Sequence, residues 1–362
     1  MSAVTPHLEL TRCVRYRYRY SACARCHEAC PHDAIALNDA GLVVDAAKCR
    51  NCALCTAACP TAALVPGNLP RIELLKQAIR GKRCGFACAP CGAPADAIVP
   101  CLGALDAAML GYLGKRGIAV ELSGSGHCAR CEHGPTGGAA LARHVAARDA
   151  LEAACTEESW APLTLVEDEP EPAGTQDFRP GRRGLFRRLL GRGVAEVEKA
   201  IAQPQELPVI DKAIRPGRWH VPEMRELLAL ACRRAGDESC RVPAQPALPM
   251  AEMQLGQGCT LCEACLRVCP TGALQIRETD SDWAFMFHAE RCVGCGVCAE
   301  VCQPRVLRSG ATADLAPGRA IAFDIRAKQR CARCDRFFVS PAPQAVCPVC
   351  GDDDSAFGQI FG

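Results

Sequence analysis

The sequence predicts an α+β multidomain chain, in which two small cysteine-rich modules flank a small parallel α/β domain and a short knuckled tail follows. Three observations predict this. First, 29 of the 362 residues are cysteine, and they gather in four blocks, at 13–60, 84–131, 259–302 and 331–350. Second, "CRNCALCTAACPTAAL" at 49–64 is matched by "CTLCEACLRVCPTGAL" at 259–274, so one kind of module is used twice. Third, residues 70–154 alternate strand-like and helix-like stretches, the pattern of a parallel sheet with helical crossovers.

Composition narrows the function. A long chain with this much cysteine and no basic-then-apolar start ("MSAVTPHLEL") reads as cytoplasmic and metal-binding rather than as a disulfide scaffold. No stretch approaches the roughly 18 apolar residues of a membrane span. A formal charge of +2 and an aromatic content of 5% give neither a basic field nor stacking platforms for nucleic acid.

The third block carries Cys259-x2-Cys262-x2-Cys265-x3-Cys269-Pro270 and then Cys292-x2-Cys295-x2-Cys298-x3-Cys302. Three thiolates two residues apart can wrap one cubane, and the fourth reaches its neighbour. This resembles the bacterial two-[4Fe-4S] ferredoxins, over about 50 residues here and a similar length in the first block. The resemblance implies dicluster ferredoxin-like modules. One cluster would be held by Cys259, Cys262, Cys265 and Cys302, and its partner by Cys292, Cys295, Cys298 and Cys269. Gln303-Pro304 stands where Cys-Pro is usual, and the ligand set is unaffected.

The first block is the same module with an irregular start. Cys30, Cys49, Cys52 and Cys55 make a complete set, whereas Cys23, Cys26 and Cys59 lack a fourth thiol because Tyr20 occupies its position. A phenol is a poor ligand for cubane iron. Cys13 is the unassigned thiol nearby, but the Arg/Tyr alternation from Arg15 to Tyr20 predicts a β-strand. A straight strand would hold Cys13 about 23 Å from Tyr20. If the segment loops back, Cys13 can ligate; otherwise the site is a three-iron cluster or is lost. The same alternation predicts an edge strand with Arg facing solvent, or a docking face for an acidic redox partner.

In the middle block, "PRIELLKQAIRG", "LDAAMLGYLGKRG" and "GGAALARHVAARDALEAA" read as helices, and "RCGFACA", "DAIVP" and "IAVEL" as strands. Cys88 and Cys91 follow the first strand, Cys101 the second, and Cys128 and Cys131 the third. A parallel sheet gathers them all at its carboxyl edge, where such folds build sites. "VPCLGALDAAML" and "GSGHCARCEHG" resemble the iron–sulfur delta subunit of methyl-viologen-reducing hydrogenase, which passes electrons to heterodisulfide reductase. That resemblance implies an additional cluster, for which Cys88, Cys91, Cys101 and Cys128 are the expected ligands with Cys131 spare or replacing Cys128. Zinc is the alternative there. His127 and His133 flank these thiols, and Cys84, Cys155, Cys232 and Cys240 read as non-ligands.

From Glu157 to Pro180 the chain is acidic and proline-rich, which predicts a linker. Two amphipathic helices are expected after it. "RRGLFRRLLGR" (182–192) is arginine-rich and suited to docking on a protein partner or to peripheral contact with a membrane. "VPEMRELLALACRRAG" (221–236) carries Pro222 at its start. In the tail, Cys331-x2-Cys334 and Cys347-x2-Cys350 form two knuckles that can close a tetrahedral site. They resemble a zinc ribbon, with rubredoxin-type iron as the alternative. The expected domains are therefore 1–68, 69–155, a linker at 156–250, 251–312 and 313–362.

No nucleophile–base pair and no phosphate-cradling glycine loop stand in the sequence, so a non-catalytic role is expected. The reading is a polyferredoxin: four [4Fe-4S] clusters, a further cluster in the middle domain and a zinc or iron knuckle, relaying electrons between redox enzyme partners. An iron–sulfur accessory or assembly factor for a metalloenzyme, such as a molybdenum oxidoreductase or hydrogenase, is the alternative.

Overall fold

A computed structural model of the chain describes residues 5–38, 41–154, 159–166, 219–232, 240–314 and 320–351. Two compact units make up the chain, each assembled from separated stretches. The first comprises Met1–Glu9, Ala24–Asp149 and Glu157–Ala213, and the second Leu10–Cys23, Ala150–Thr156 and Ile214–Gly362.

In the first unit, strands Ile35–Asn38 and Gly41–Val44 pair antiparallel, with Ile35 opposite Val44 and Leu37 opposite Leu42. His7–Leu8 pairs antiparallel with Leu64–Val65. Ile35, Leu42 and Leu64 are the buried positions of these strands, so one face supplies the core. Ile35, Leu42, Leu64 and Cys55 bury together, with Cys26 and Cys30 packed against them. The cysteine-bearing loops therefore close over an apolar floor.

The same unit holds a four-stranded, all-parallel sheet in the order Ala97–Val99, Arg83–Cys88, Ala119–Ser123, Leu163–Val166. Its inner strands are apolar runs, as expected where helices cover a sheet, and Phe86 and Leu122 are fully buried. Helices Arg71–Ala78, Ala107–Lys115 and Gly134–Ala154 occupy the expected positions. Asp106 caps the second, its carboxylate accepting the Met109 amide at 3.0 Å. The fourth strand departs from the sequence reading, which placed the linker from residue 157 onward. "LTLV" is too short and too exposed to carry a burial pattern, and it joins the sheet through backbone pairing to Val120–Ser123.

The second unit is built around the short helices Ala264–Val268 and Val297–Val301 and a three-stranded antiparallel sheet. The sheet runs Leu274–Glu278, Asp282–His288, Ala320–Ala327. Trp283, Phe285 and Phe287 form its buried face, and Phe323 stacks on Phe287 with ring centroids 5.3 Å apart. Helix Glu223–Ala231 buries Met224, Leu228 and Ala231 at helical spacing. The arginine-rich stretch 182–192 and Cys155 lie outside the described residues.

The Arg/Tyr segment corrects the expectation of a strand. Val14–Arg17 is a single helical turn, with Tyr18 extended after it. Tertiary packing decides this: Val14 is buried against Val268 and Val297, with Tyr18, Cys23 and Cys295 around them. Alternation over six residues satisfies the strand template, but only one apolar side chain needs to be buried, and one helical turn presents it.

Candidate metal centres

A shared backbone device shapes the cysteine runs. In three of them the residues on both sides of the second cysteine are left-handed: Asn51 and Ala53 around Cys52, Leu261 and Glu263 around Cys262, Gly294 and Gly296 around Cys295, with φ between 55° and 82°. Two such residues curl the loop so that three thiols share one side. Non-glycine residues give up about 1–2 kcal/mol at such angles, a strain found where a site requires it. Around Cys23, Ala24 has φ −126°, and Ala22 is not among the left-handed residues, so this run does not make the same tight loop. A second device appears three residues after the last cysteine of every run: Asp33, Ala62, Gly272 and Arg305 are all left-handed. The turn aims the next amide back at sulfur, as Ala34 N–H to Cys30 Sγ and Ala63 N–H to Cys59 Sγ, both at 3.3 Å. Amide donors favour a thiolate over a thiol. Neither device was predicted; the glycines at 272, 294 and 296 were its one visible trace.

Among the described residues, Cys259, Cys262, Cys265 and Cys302 line one cavity, walled by Leu255, Leu261, Trp283 and Phe285. Burial, with the neighbouring thiols Cys259, Cys262 and Cys302, pushes the Cys265 thiol up to about 12. Cys298 is pushed well up by burial, then by Cys295, Cys292 and Cys269. Cys55 is likewise pushed up by burial, then by Cys52, Cys26, Cys30 and Cys49. Thiols packed this closely cannot all ionise without a cation to share.

Two arginines serve the second module. Arg225 is 1% exposed and spans the cysteine loop, donating from Nε to Cys292 O at 3.0 Å and from Nη2 to Ala289 O at 2.8 Å. Its Nη1 has no partner, although a buried cation is costly without one. Burial lowers its pKa, while Cys292 raises it. Arg17 donates from Nη1 to Cys269 O at 3.1 Å, close to Cys269 and Cys295. In the same segment, Arg15 Nη1 donates to Ser21 O at 2.8 Å and to Cys23 O at 3.4 Å, so the chain from Cys13 folds back toward Cys23.

At the carboxyl edge of the parallel sheet, Cys88, Cys101, Cys128 and Cys131 line one small cavity with His127, His133 and Gly124. Gly124 has φ +99°, and a methyl there would sit 2.4 Å from Cys91 Sγ, so glycine is required. Cys91 is buried beside the cavity and donates its S–H to Cys88 O at 3.1 Å. Cys101 is pushed up to about 12, first by burial. In the tail, the sulfur atoms of Cys331, Cys334, Cys347 and Cys350 all lie within 4.8 Å of one another. The Cys347 amide donates to Cys331 Sγ at 3.2 Å, and such amide bonds lower the Cys331 thiol to about 6.

Residues 21–63 and 258–306 each match the 4Fe-4S dicluster domain family. No curated protein and no solved structure matches the chain. The two matches make this an iron–sulfur protein with two ferredoxin-like dicluster regions suited to electron transfer. Among the described residues, no helix is long and apolar enough to cross a membrane.

Proposed function

We propose that the chain is a multi-cluster electron relay between redox enzyme partners, with four [4Fe-4S] clusters in its two dicluster regions and a fifth iron–sulfur centre at the parallel sheet. The observation that carries it is the set of four thiol groups, two of them lining cavities, on one chain. When bound, each cluster supplies a one-electron couple.

The donor sets suit such anionic clusters. Buried thiols crowd together, amides point at Cys30 and Cys59 sulfur, and Arg225 Nη1 has no hydrogen-bond partner beside Cys292. In the second module the ligands are Cys259, Cys262, Cys265 and Cys302 for one site and Cys269, Cys292, Cys295 and Cys298 for the other. In the first they are Cys30, Cys49, Cys52 and Cys55 for one site. Cys13 completes the irregular set with Cys23, Cys26 and Cys59. Two observations support it: the segment 13–23 folds back, and the loop around Cys23 lacks the left-handed pair that would draw a ligand from position 20.

At the sheet, Cys88, Cys101, Cys128 and Cys131 hold the iron, and Cys91, which is not among the residues lining that cavity, is the spare. The sequence had favoured Cys91 over Cys131. The tail quartet holds zinc in a closed, structural site.

Anaerobic purification with iron, sulfide and zinc counts tests the reading. Cys13→Ala should convert one cubane to a three-iron form or lose it. Cys91→Ala should keep the middle centre, and Cys131→Ala should lose it. Cubane content unchanged in Cys13→Ala would remove Cys13 from the set. Iron content accounted for by the dicluster regions alone would reduce the relay to those two modules.

A further inference from the structure

The first dicluster region and the sheet-edge thiols meet inside the first unit. Cys52 and Leu54, from the run at 49–59, bury in one cluster with Cys101 and Ala140 of the α/β fold. Gly103 permits the approach, since a methyl there would sit 2.9 Å from Leu54 Cδ2 and 2.5 Å from Gly137 O. Gly137 does the same on the other side, where a methyl would lie 3.1 Å from Cys101 Sγ, 3.5 Å from His133 Cβ and 3.9 Å from Leu54 Cδ1. Cys52 weighs on the Cys101 thiol more than Cys128 or Cys131 does.

His133 ties the two groups together. It is 3% exposed, and its backbone amide donates to Cys131 Sγ at 3.4 Å. Its Nδ1 shares a hydrogen bond with His32 Nε2 at 3.0 Å, and a ring nitrogen of each histidine lies within 4.8 Å of Cys52 Sγ. One residue therefore touches a sheet-edge sulfur through its backbone and approaches a ferredoxin-run sulfur through its ring.

We infer that Cys52, His133 and Cys101 form the contact through which electrons pass between the sheet-edge centre and the cubane on Cys30, Cys49, Cys52 and Cys55. This rests on the ligand sets proposed above. The exchange makes and breaks no bond and moves no proton. One iron held at the sheet edge goes from ferrous to ferric while one iron held by the Cys52 set goes from ferric to ferrous, the first electron coming from a low-potential one-electron donor. His133 is a positioning residue, since it ligates neither centre. His32 fixes its ring.

The test uses the full chain, purified without oxygen and reduced with dithionite, read by electron paramagnetic resonance. The expected result is a sheet-edge signal and a cubane signal that broaden each other. Cys101→Ala should remove the first and narrow the second. His133→Phe, which keeps a ring in place, should retain both signals while slowing electron redistribution several-fold after rapid mixing with substoichiometric dithionite. Two unbroadened signals, with the cubane signal indifferent to Cys101→Ala, would overturn the inference and leave the ligand sets standing. Absence of a sheet-edge signal in the unaltered chain would overturn both. Zinc that disappears in His32→Ala with cubane content intact would make His32, Cys52 and His133 a metal site and end the relay reading.

Discussion

Arg17 and Arg225 are the residues at which single charges meet the second module's sulfur. Each guanidinium grips a carbonyl of the cysteine run, Cys269 for Arg17 and Cys292 for Arg225, so its charge cannot swing away. A fixed cation favours the more negative, reduced state of a neighbouring cluster. Arg17→Gln keeps much of the side chain and removes the charge. It should lower the potential of the centre on Cys269, Cys292, Cys295 and Cys298 by roughly 60 mV, tenfold in a one-electron equilibrium. A redox titration followed spectroscopically checks this, and an unchanged potential would confine Arg17 to packing. Arg225→Met should cost more than potential, because two carbonyls lose their donor; loss of iron from that site on dilution is the expected outcome.

At the scale of elements, the left-handed residues of the cysteine loops allow a clean backbone experiment. At Gly296, φ is +82° and a methyl would meet nothing within 4 Å. Gly296→Ala therefore tests conformation alone and should cost roughly 1–2 kcal/mol by denaturant unfolding of the loaded protein. Ala53→Gly, at φ +62°, relieves the same strain but gives up a buried methyl, so the two effects should offset and leave stability within about 1 kcal/mol of the parent. Helix Gly134–Ala154 offers a pH experiment. His144 is buried without a partner for Nδ1, and burial lowers its pKa to about 4 from an ordinary 6.5. Between those values the unfolded chain takes up a proton that the folded chain refuses. Stability is thus intact above pH 6.5 and is lost as pH falls toward 4, by on the order of a few kcal/mol. His144→Gln should flatten that acid limb in thermal melts.

The elements were legible in unequal measure. Three of the four strands and three helices of the α/β fold announced themselves, because buried apolar runs and amphipathic stretches depend on neighbouring residues. Cysteine spacing did the same for the metal loops. The strand Leu163–Val166 and the turn Val14–Arg17 did not, since partners distant in sequence decide both. The contact of Cys91 Sγ with the Cys88 carbonyl and the approach of Cys52 to Cys101 also depend on folding and leave no pattern in a linear string.

For the whole molecule, metal is expected to sustain the fold. Two groups of thiols line cavities rather than a filled core, and the tail has Cys331 and Cys347 as its buried sulfur anchors. Chelation of the tail metal, or Cys347→Ser, should release one zinc and loosen the strand pair Gln329–Arg330 with Phe337–Phe338, leaving iron content unchanged. Zinc analysis beside iron analysis distinguishes this from a tail that holds rubredoxin-type iron.

The hydrogen bond from Arg17 to Cys269 joins residues 252 apart, and Leu10–Cys23 belongs to the compact unit that is otherwise completed by Ala150–Thr156 and Ile214–Gly362. Synthesis runs from the amino end, so this segment leaves the ribosome long before its packing partners exist. Val14 must wait for Val268 and Val297, and the loop closure that unites them spans most of the protein. The second unit is therefore expected to mature late and slowly, with its cysteine runs open to oxidation until the amino-terminal turn docks. A Val14→Ser chain, which keeps Cys13 and Cys23, should still form the parallel sheet but assemble the carboxyl-terminal cysteine loops more slowly, measurable as delayed recovery of cluster absorbance on anaerobic reconstitution.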